Sequence, residues 1–431
     1  MGRFFYLLEA GMVPKRKINK VVLAYSGGLD TSICVSWLRE TYDCEVVCFT
    51  ADIGQPGELD GLQEKAMQSG ASQFILRDLR EEFASDYLFP MLRAGAIYER
   101  KYLLGTAISR PIIAQHQIQI AQELGADAVA HGGTGLGNDQ VRFELAYMAL
   151  DPRLKVIAPW REWDIRTRVE AMQYAEDHDI PVPISATTQY TRDHNLWHLS
   201  HEGGPLEEAW DEPEEPMYLL SASPADAPDE PAYVEIEFEN GTPVAIDGQK
   251  RSPYKILSYL NTLGAVHAIG RADMIESRLV GLKSHGVYET PGGTILWAAL
   301  RELESLVLDK ATLLHKEQAG LTYGDLVYEG YWFSPLREGL DAFNDRVLQT
   351  ATGSVSMKLY KGNIIPVGRK SAFSLYREDL VSYGEVDVYD QSLSEGYTRQ
   401  MGLALKVRAL NRLEIAENDD HKPDYSRFKR D

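Results

Sequence analysis

The run Ser26-Gly27-Gly28-Leu29-Asp30-Thr31-Ser32 places glycines, hydroxyls and one carboxylate between an apolar segment and a helical pattern. Glycines let the backbone approach a ligand, its N–H groups converge, and a helix N-terminus favours negative charge. Ser26, Thr31 and Ser32 add hydroxyl donors. The chemistry this suits is the holding of a phosphate or pyrophosphate. Asp30 is out of place there unless a cation such as Mg²⁺ bridges it or it caps the helix. A bare Gly-Gly turn with an Asp cap is an ordinary strand-to-helix junction, but the whole string from Tyr25 to Ser32 asks for more. It is not a Walker A loop, which needs Gly-Lys-Ser/Thr. It is not a dinucleotide fingerprint either, which needs a third glycine and a distant acid.

A second glycine string runs His131-Gly132-Gly133-Thr134-Gly135-Leu136-Gly137-Asn138-Asp139-Gln140-Val141-Arg142. Its glycines permit close approach, Thr134, Asn138 and Asp139 offer hydrogen bonds, and Arg142 offers a fork for a carboxylate. The plainer reading is a flexible loop ending in a capped helix. His194, His198 and His201 are spaced i, i+4 and i+7, one face of any helix there, and three imidazoles can bind zinc. No acidic partner for them is evident in the sequence, and polar loop histidines are the plainer reading.

The elements that position these residues follow from periodicity. Val21 to Tyr25, Glu45 to Phe49, Phe74 to Leu76, Asp127 to His131 and Lys155 to Ala158 read as strands. Amphipathic stretches lie between them, the clearest from Pro111 to Leu124. Alternation of this kind implies a parallel sheet covered by helices, with ligands at the carboxyl edge of the strands. Both glycine strings then face each other across that edge. Prolines and acids mix around Asp211 to Ala232, marking an extended segment. Beyond it, Tyr233 to Phe238 and Val244 to Ile246 flank an Asn240-Gly241 turn. A second hairpin joins Ser354 to Tyr360 and Ile364 to Val367, with helical patterns between the two. Gly402 to Glu417 reads as a helix. The fold class expected is α/β, then α+β, then a C-terminal helix.

Among 431 residues, 64 acidic side chains outnumber 44 basic ones, a formal net charge of −20. A chain so negative repels phosphate backbones, so no nucleic acid partner is expected. No run approaches the length of a membrane span, and the apolar patch Phe4 to Leu8 is too short for a signal peptide. Met12 is an alternative start. The three cysteines, Cys34, Cys44 and Cys48, fit neither a disulfide framework nor a metal pattern. A soluble cytoplasmic protein is the expectation.

The string Ala24-Tyr25-Ser26-Gly27-Gly28-Leu29-Asp30-Thr31-Ser32 resembles the signature of the PP-loop ATP pyrophosphatases and, among them, the argininosuccinate synthase family. The resemblance extends from about Lys20 to Arg412 through Ala51-Asp52-Ile53-Gly54-Gln55, Tyr102-Leu103-Leu104-Gly105-Thr106, Val156-Ile157-Ala158-Pro159-Trp160, Asn195-Leu196-Trp197 and Tyr288 to Thr294. It implies a nucleotide-binding PP-loop domain (adenine nucleotide alpha hydrolase-like) over 18–181, a synthetase domain over 182–385 and an oligomerisation helix and tail over 386–431. It implies ATP contacts from Ala24, Tyr25, Ser26, Gly27, Gly28, Leu29, Asp30, Thr31, Ser32, Ala51 and Gly132. Citrulline contacts would come from Tyr102, Thr106, Asn138, Arg142, Thr191, Ser200, Glu276 and Tyr288. Aspartate contacts would come from Thr134, Asn138 and Asp139.

Asp30 and Arg142 carry the catalytic roles on this reading, with Asp30 a contact for Mg²⁺. The activity implied is ligation of citrulline and aspartate through a citrullyl-AMP intermediate, in a homotetramer. No cysteine follows Cys48, which argues against a glutamine-using relative, so the amine donor is a free small molecule. Taken without the resemblance, Glu276 reads as a helix-surface acid and Tyr288 as a core aromatic. The chain departs from the family pattern at Ala107, Leu136, Thr191, Ser277 and His285. Those departures leave as an alternative a paralogue adenylating another ureido or amide acceptor; a non-catalytic nucleotide-binding relative is a further alternative, against which retention of the Asp30 loop and Arg142 argues.

Overall fold

The computed structural model describes residues 17–135, 137–181, 189–381 and 390–417, with side chains as far as Leu413. Two compact units divide the chain, one ending at Leu375 and the other beginning at Tyr376.

The first half holds β1 (Lys20–Ala24), β2 (Glu45–Asp52), β3 (Gln73–Asp78), β4 (Ala128–Ala130) and β5 (Lys155–Ile157). They form one parallel sheet in the order β3-β2-β1-β4-β5. β1 is central and apolar on both faces. Val22 and Ala24 enter one core, with Ile108, Ile112 and Ile118 of the helix Gly105–Glu123. Val21, Leu23 and Tyr25 enter the other, with Ile33, Cys34 and Leu38 of the helix Leu29–Tyr42. The strand order reverses at β1, so the crevice outside β1 and β4 is where a ligand belongs. The helix Gly105–Glu123 begins well before the expected Pro111 and carries that proline inside it. Packing of Ala107 and Ile108, both fully buried, outweighs the missing N–H.

The second half supplies β6 (Thr191–His194), β7 (Leu199–Glu202), β8 (Ala232–Glu239), β9 (Thr242–Ile246) and β10 (Gln249–Lys250). It continues with β11 (Arg271–Ser277), β12 (Lys283–Glu289), β13 (Gly353–Tyr360) and β14 (Asn363–Lys370). The two hairpins expected from turn residues are present and join through β8 and β13 into one antiparallel sheet, β10-β9-β8-β13-β14.

A third sheet, β11-β12-β7-β6, has no counterpart in the sequence reading and corrects it. His194, His198 and His201 lie on a hairpin, not on a helix face. The Asn195 carboxamide oxygen accepts the N–H groups of Trp197 and His198 and folds the chain back. His198 and His201 are buried, so they are not polar loop residues either. Among the described residues no group of three or more His, Cys, Asp or Glu could hold a metal ion, and no helix is long and apolar enough to cross a membrane. The second unit contains the helices Leu393–Met401 and Leu403–Glu417.

Candidate active site

The first glycine loop leaves β1 and enters the helix Leu29–Tyr42. Gly27 has φ +73°, a backbone that favours glycine, and a Cβ there would lie 2.2 Å from Leu62 Cδ2, so a side chain would also have to push Leu62 aside. Gly28 is the N-cap and no side chain bonds to the helix end. Asp30 is therefore not the cap. It lies exposed in the first turn, where negative charge is favoured by the helix dipole. Ser26 and Thr31 share a hydroxyl hydrogen bond of 3.1 Å, and Tyr25 and Ser32 one of 3.2 Å. The Lys65 ammonium donates to the Gly27 carbonyl, a contact that no sequence pattern indicated. Ala51 is buried at the end of β2.

The two glycine strings meet. A Cβ on Gly132, just after β4, would lie 2.8 Å from the Thr31 methyl. From there Thr134 and Asn138 lead into the helix Asp139–Leu150. Leu136 lies outside the described residues. Asn138 donates to the Tyr328 hydroxyl at 2.9 Å and accepts the Leu279 N–H at 2.9 Å, so it joins both halves of the unit.

Arg142 is buried, donates to the Tyr328 carbonyl at 2.8 Å and to Asp139 at 3.0 Å, and lies over the Tyr328 ring. Arg110 reaches the other Asp139 oxygen at 2.8 Å and also pairs with Asp193 at 3.2 Å. Burial raises the Asp139 pKa, but the two guanidinium groups outweigh it and hold the carboxyl at about 2. A single carboxylate thus sits between two fixed cations.

Aromatic rings form the next wall. Tyr102 stacks on Tyr288 at 4.2 Å and meets Tyr328 edge-on at 6.3 Å. Its hydroxyl accepts the Thr106 N–H at 2.9 Å. Ser200 on β7 lies opposite Tyr288 on β12. The Tyr288 hydroxyl donates to Glu276 Oε1 at 3.0 Å, while Glu276 Oε2 is buried with no partner among the described residues. Burial pushes the Glu276 carboxyl up, against the hydrogen bond from Tyr288 and the charges of Arg142 and Arg278. Glu276 is a buried residue on a partly exposed strand rather than a helix-surface acid, which corrects that reading.

Thr191 is the exposed first residue of β6, paired with Glu202. Ala107 is fully buried, and Ser277 bonds to Glu99 at 2.7 Å. His285 contacts the Leu206 carbonyl and Asp273, each at 2.8 Å. Lys65, Arg110 and Tyr328 line this arrangement and were not singled out in the sequence, while His198 was singled out only as a zinc candidate. Arg110 lies one turn beyond Thr106 in the same helix, a spacing that could have marked it.

Comparison with known proteins bears on this arrangement. A family model described as the arginosuccinate synthase N-terminal HUP domain matches residues 20–181. One described as the arginosuccinate synthase C-terminal domain matches 190–408. A chloroplastic argininosuccinate synthase of Arabidopsis thaliana is 57% identical over 403 residues, 93% of this chain and 81% of that one. Argininosuccinate synthases of Roseiflexus sp. (strain RS-1) and Carboxydothermus hydrogenoformans are each 57% identical over 91% of this chain, and 97% and 98% of theirs. Among solved structures, a U34-tRNA thiolase NcsA of Methanococcus maripaludis aligns at TM-score 0.27 and 18% identity, over 38% of this chain and 58% of that one. That likeness is too slight to carry an argument.

Proposed function

Because the chain belongs to the argininosuccinate synthase family, ATP-dependent carbon–nitrogen ligases that join citrulline to aspartate, we propose a placement of the substrates among its residues. ATP lies along Ala24 to Ser32, with its adenine near Ala51 and its α-phosphate near Gly132. Citrulline occupies the space bounded by Tyr102, Thr106, Asn138, Arg142, Ser200, Glu276 and Tyr288, with Thr191 at its rim. Aspartate lies by Thr134, Asn138 and Asp139. The observation that carries this reading is the contact of Gly132 with Thr31, which brings a phosphate-binding loop against a loop leading to buried opposite charges.

The chemistry follows from leaving-group ability. A ureido oxygen is a poor leaving group, so it first attacks the α-phosphorus of ATP. An O–P bond forms, the α–β anhydride bond breaks and pyrophosphate departs. The aspartate amine then attacks the ureido carbon, the C–O bond breaks, AMP leaves, and the nitrogen loses a proton. Holding both partners beside the α-phosphate is worth up to about 7–11 kcal/mol in favourable intramolecular cases. Arg142 fixes a carboxylate of citrulline, and Glu276, with one oxygen unpaired, suits its ammonium group. The exposed Asp30 carboxylate, next to Thr31 in the first turn of the helix, would hold a Mg²⁺ ion, which commonly takes one or two carboxylates. Such an ion would supply neutralisation of phosphate charge.

A homotetramer acting in the cytoplasm completes the proposal. Its support is the apolar surface of Leu393, Tyr397, Met401 and Leu405 on the second unit's helices, and three buried free thiols suited to a reducing compartment. The test of the whole reading is pyrophosphate release. Release that requires citrulline, with argininosuccinate formed when aspartate is added, is the expected result. No release with citrulline and aspartate together would overturn it.

A further inference from the structure

His198 is a buried imidazole, 1% exposed, to which the proposed chemistry assigns nothing. It ends the turn between β6 and β7, and that turn is latched to the segment carrying Thr106 by successive bonds. Trp197 Nε1 donates to the Leu103 carbonyl at 2.7 Å, and Asn195 Nδ2 donates to the Gly105 carbonyl at 3.0 Å. His198 Nε2 lies 3.1 Å from Thr106 Oγ1. Gly105 leaves room for the ring, since a Cβ there would lie 2.2 Å from His198 Cγ. The ring stacks on Tyr288 at 6.0 Å and leans on Tyr102 at 6.1 Å. His198 therefore stands directly behind Tyr102, Thr106 and Tyr288. The same turn is tied to the end of β2, where Leu196 donates its N–H to the Ile53 carbonyl at 2.8 Å.

The hydrogen-bond inventory then decides which way protons point. His198 Nδ1 is buried and has no partner among the described residues. Burial and the neighbouring His194, Arg110 and His201 hold the imidazole well below its ordinary pKa, so it is neutral. A neutral ring carries one N–H. Placed on Nδ1, that proton would be an orphaned buried donor, which native structures avoid more strictly than an unused acceptor. Placed on Nε2, it is satisfied by Thr106 Oγ1. The threonine hydroxyl, accepting from behind, must then donate forward.

We infer that His198 is a positioning residue whose Nε2–H sets the polarity of the Thr106 hydroxyl, so that its proton faces the citrulline. This rests on the substrate placement proposed above, in which Thr106 borders the citrulline space. Thr106 is half-buried and Ala107 beside it has no hydroxyl, so this one donor has no neighbour to replace it in the first turn.

Steady-state kinetics of His198→Leu, His198→Gln, Thr106→Val and the double variant His198→Leu/Thr106→Val test it. His198→Leu is expected to raise the KM for citrulline about five- to tenfold, the worth of one neutral hydrogen bond, while the KM values for ATP and aspartate stay within about twofold. His198→Gln, which can return an N–H near Nε2, is expected to recover most of the loss. The double variant is expected to be no worse than Thr106→Val alone, because both changes act through one hydroxyl. Equal effects on all three KM values, or additive effects in the double variant, would overturn the inference. If His198→Leu does not fold, Thr106→Val against Thr106→Ser decides. An unchanged citrulline KM in Thr106→Val would remove the hydroxyl, and His198 with it. Failure of the unaltered protein to release pyrophosphate with citrulline and aspartate would instead refute the underlying placement.

Discussion

On the proposed placement of substrates, the nucleotide end and the acceptor end of the site are built on different principles. The loop from Ser26 to Ser32 is one continuous segment in which glycines, hydroxyls and a helix start supply the binding groups. Its polar contacts are mostly internal to seven residues. At the acceptor end, Arg142, Asp139, Arg110, Glu276, Tyr288 and Tyr328 come from five separate elements and hold one another by charge and stacking. A polyanion can be bound by main-chain N–H groups. A zwitterionic amino acid needs opposite charges at fixed separation, which demands buried side chains each satisfied by the next. The first design is expected to tolerate single losses better than the second.

Arg142→Ala is expected to have the largest effect. It leaves the Tyr328 carbonyl without its guanidinium donor and Asp139 with Arg110 alone, a loss of about 3–4 kcal/mol by analogy with truncated charge pairs. In kcat/KM for citrulline that is on the order of 100- to 1000-fold. A loss under about tenfold would mean the acceptor end is as forgiving as the loop.

Glu289→Gln probes the scaffold behind the acceptor end. Glu289 is fully buried, receives His201 Nε2 at 2.8 Å and accepts from Leu219, Leu220 and Ser221. Burial would raise its pKa, but the bonds from His201, Leu219 and Ser221 outweigh that and depress it. A depressed folded pKa adds stability that is complete above the unfolded glutamate value of about 4.3 and is lost as pH falls through the folded value. The variant should melt lower by about 1–3 kcal/mol near neutrality, and the gap in Tm should shrink on acidification. A constant gap across pH would locate the effect in packing.

Gly27→Ala comes next, with strain of about 1–2 kcal/mol from its left-handed backbone. The KM for ATP should rise about tenfold while that for citrulline stays put. Lys65→Met should be smallest, about two- to threefold in the KM for ATP, since an ammonium on the Gly27 carbonyl steadies the loop from outside. Should Lys65→Met exceed Gly27→Ala, the loop would prove to depend on a distant side chain, and the contrast between the two ends would weaken.

How much could be read from the chain differs by region for the same reason. The five parallel strands and both hairpins were legible because apolar runs, apolar alternation and turns such as Asn240-Gly241 are local signals. The β11-β12-β7-β6 sheet was not. Its strands carry charged and polar residues such as His201, Glu276 and Glu289, whose burial is tolerable only because partners arrive from elsewhere. The histidines at helical spacing misled because one carboxamide, Asn195, turns the chain.

The strand pattern and the two glycine strings pointed by themselves to a phosphate-bearing ligand at the carboxyl edge of a parallel sheet, and the structure has that sheet. The resemblance of those strings, extended by the family matches, determined which reaction that serves. Only the tertiary structure decided that Asp139 is shared by two arginines, that Glu276 keeps one oxygen unpaired and that His198 stands behind Thr106. Those facts depend on burial and on distances between residues far apart in the chain, and neither quantity is a property of any local stretch of sequence.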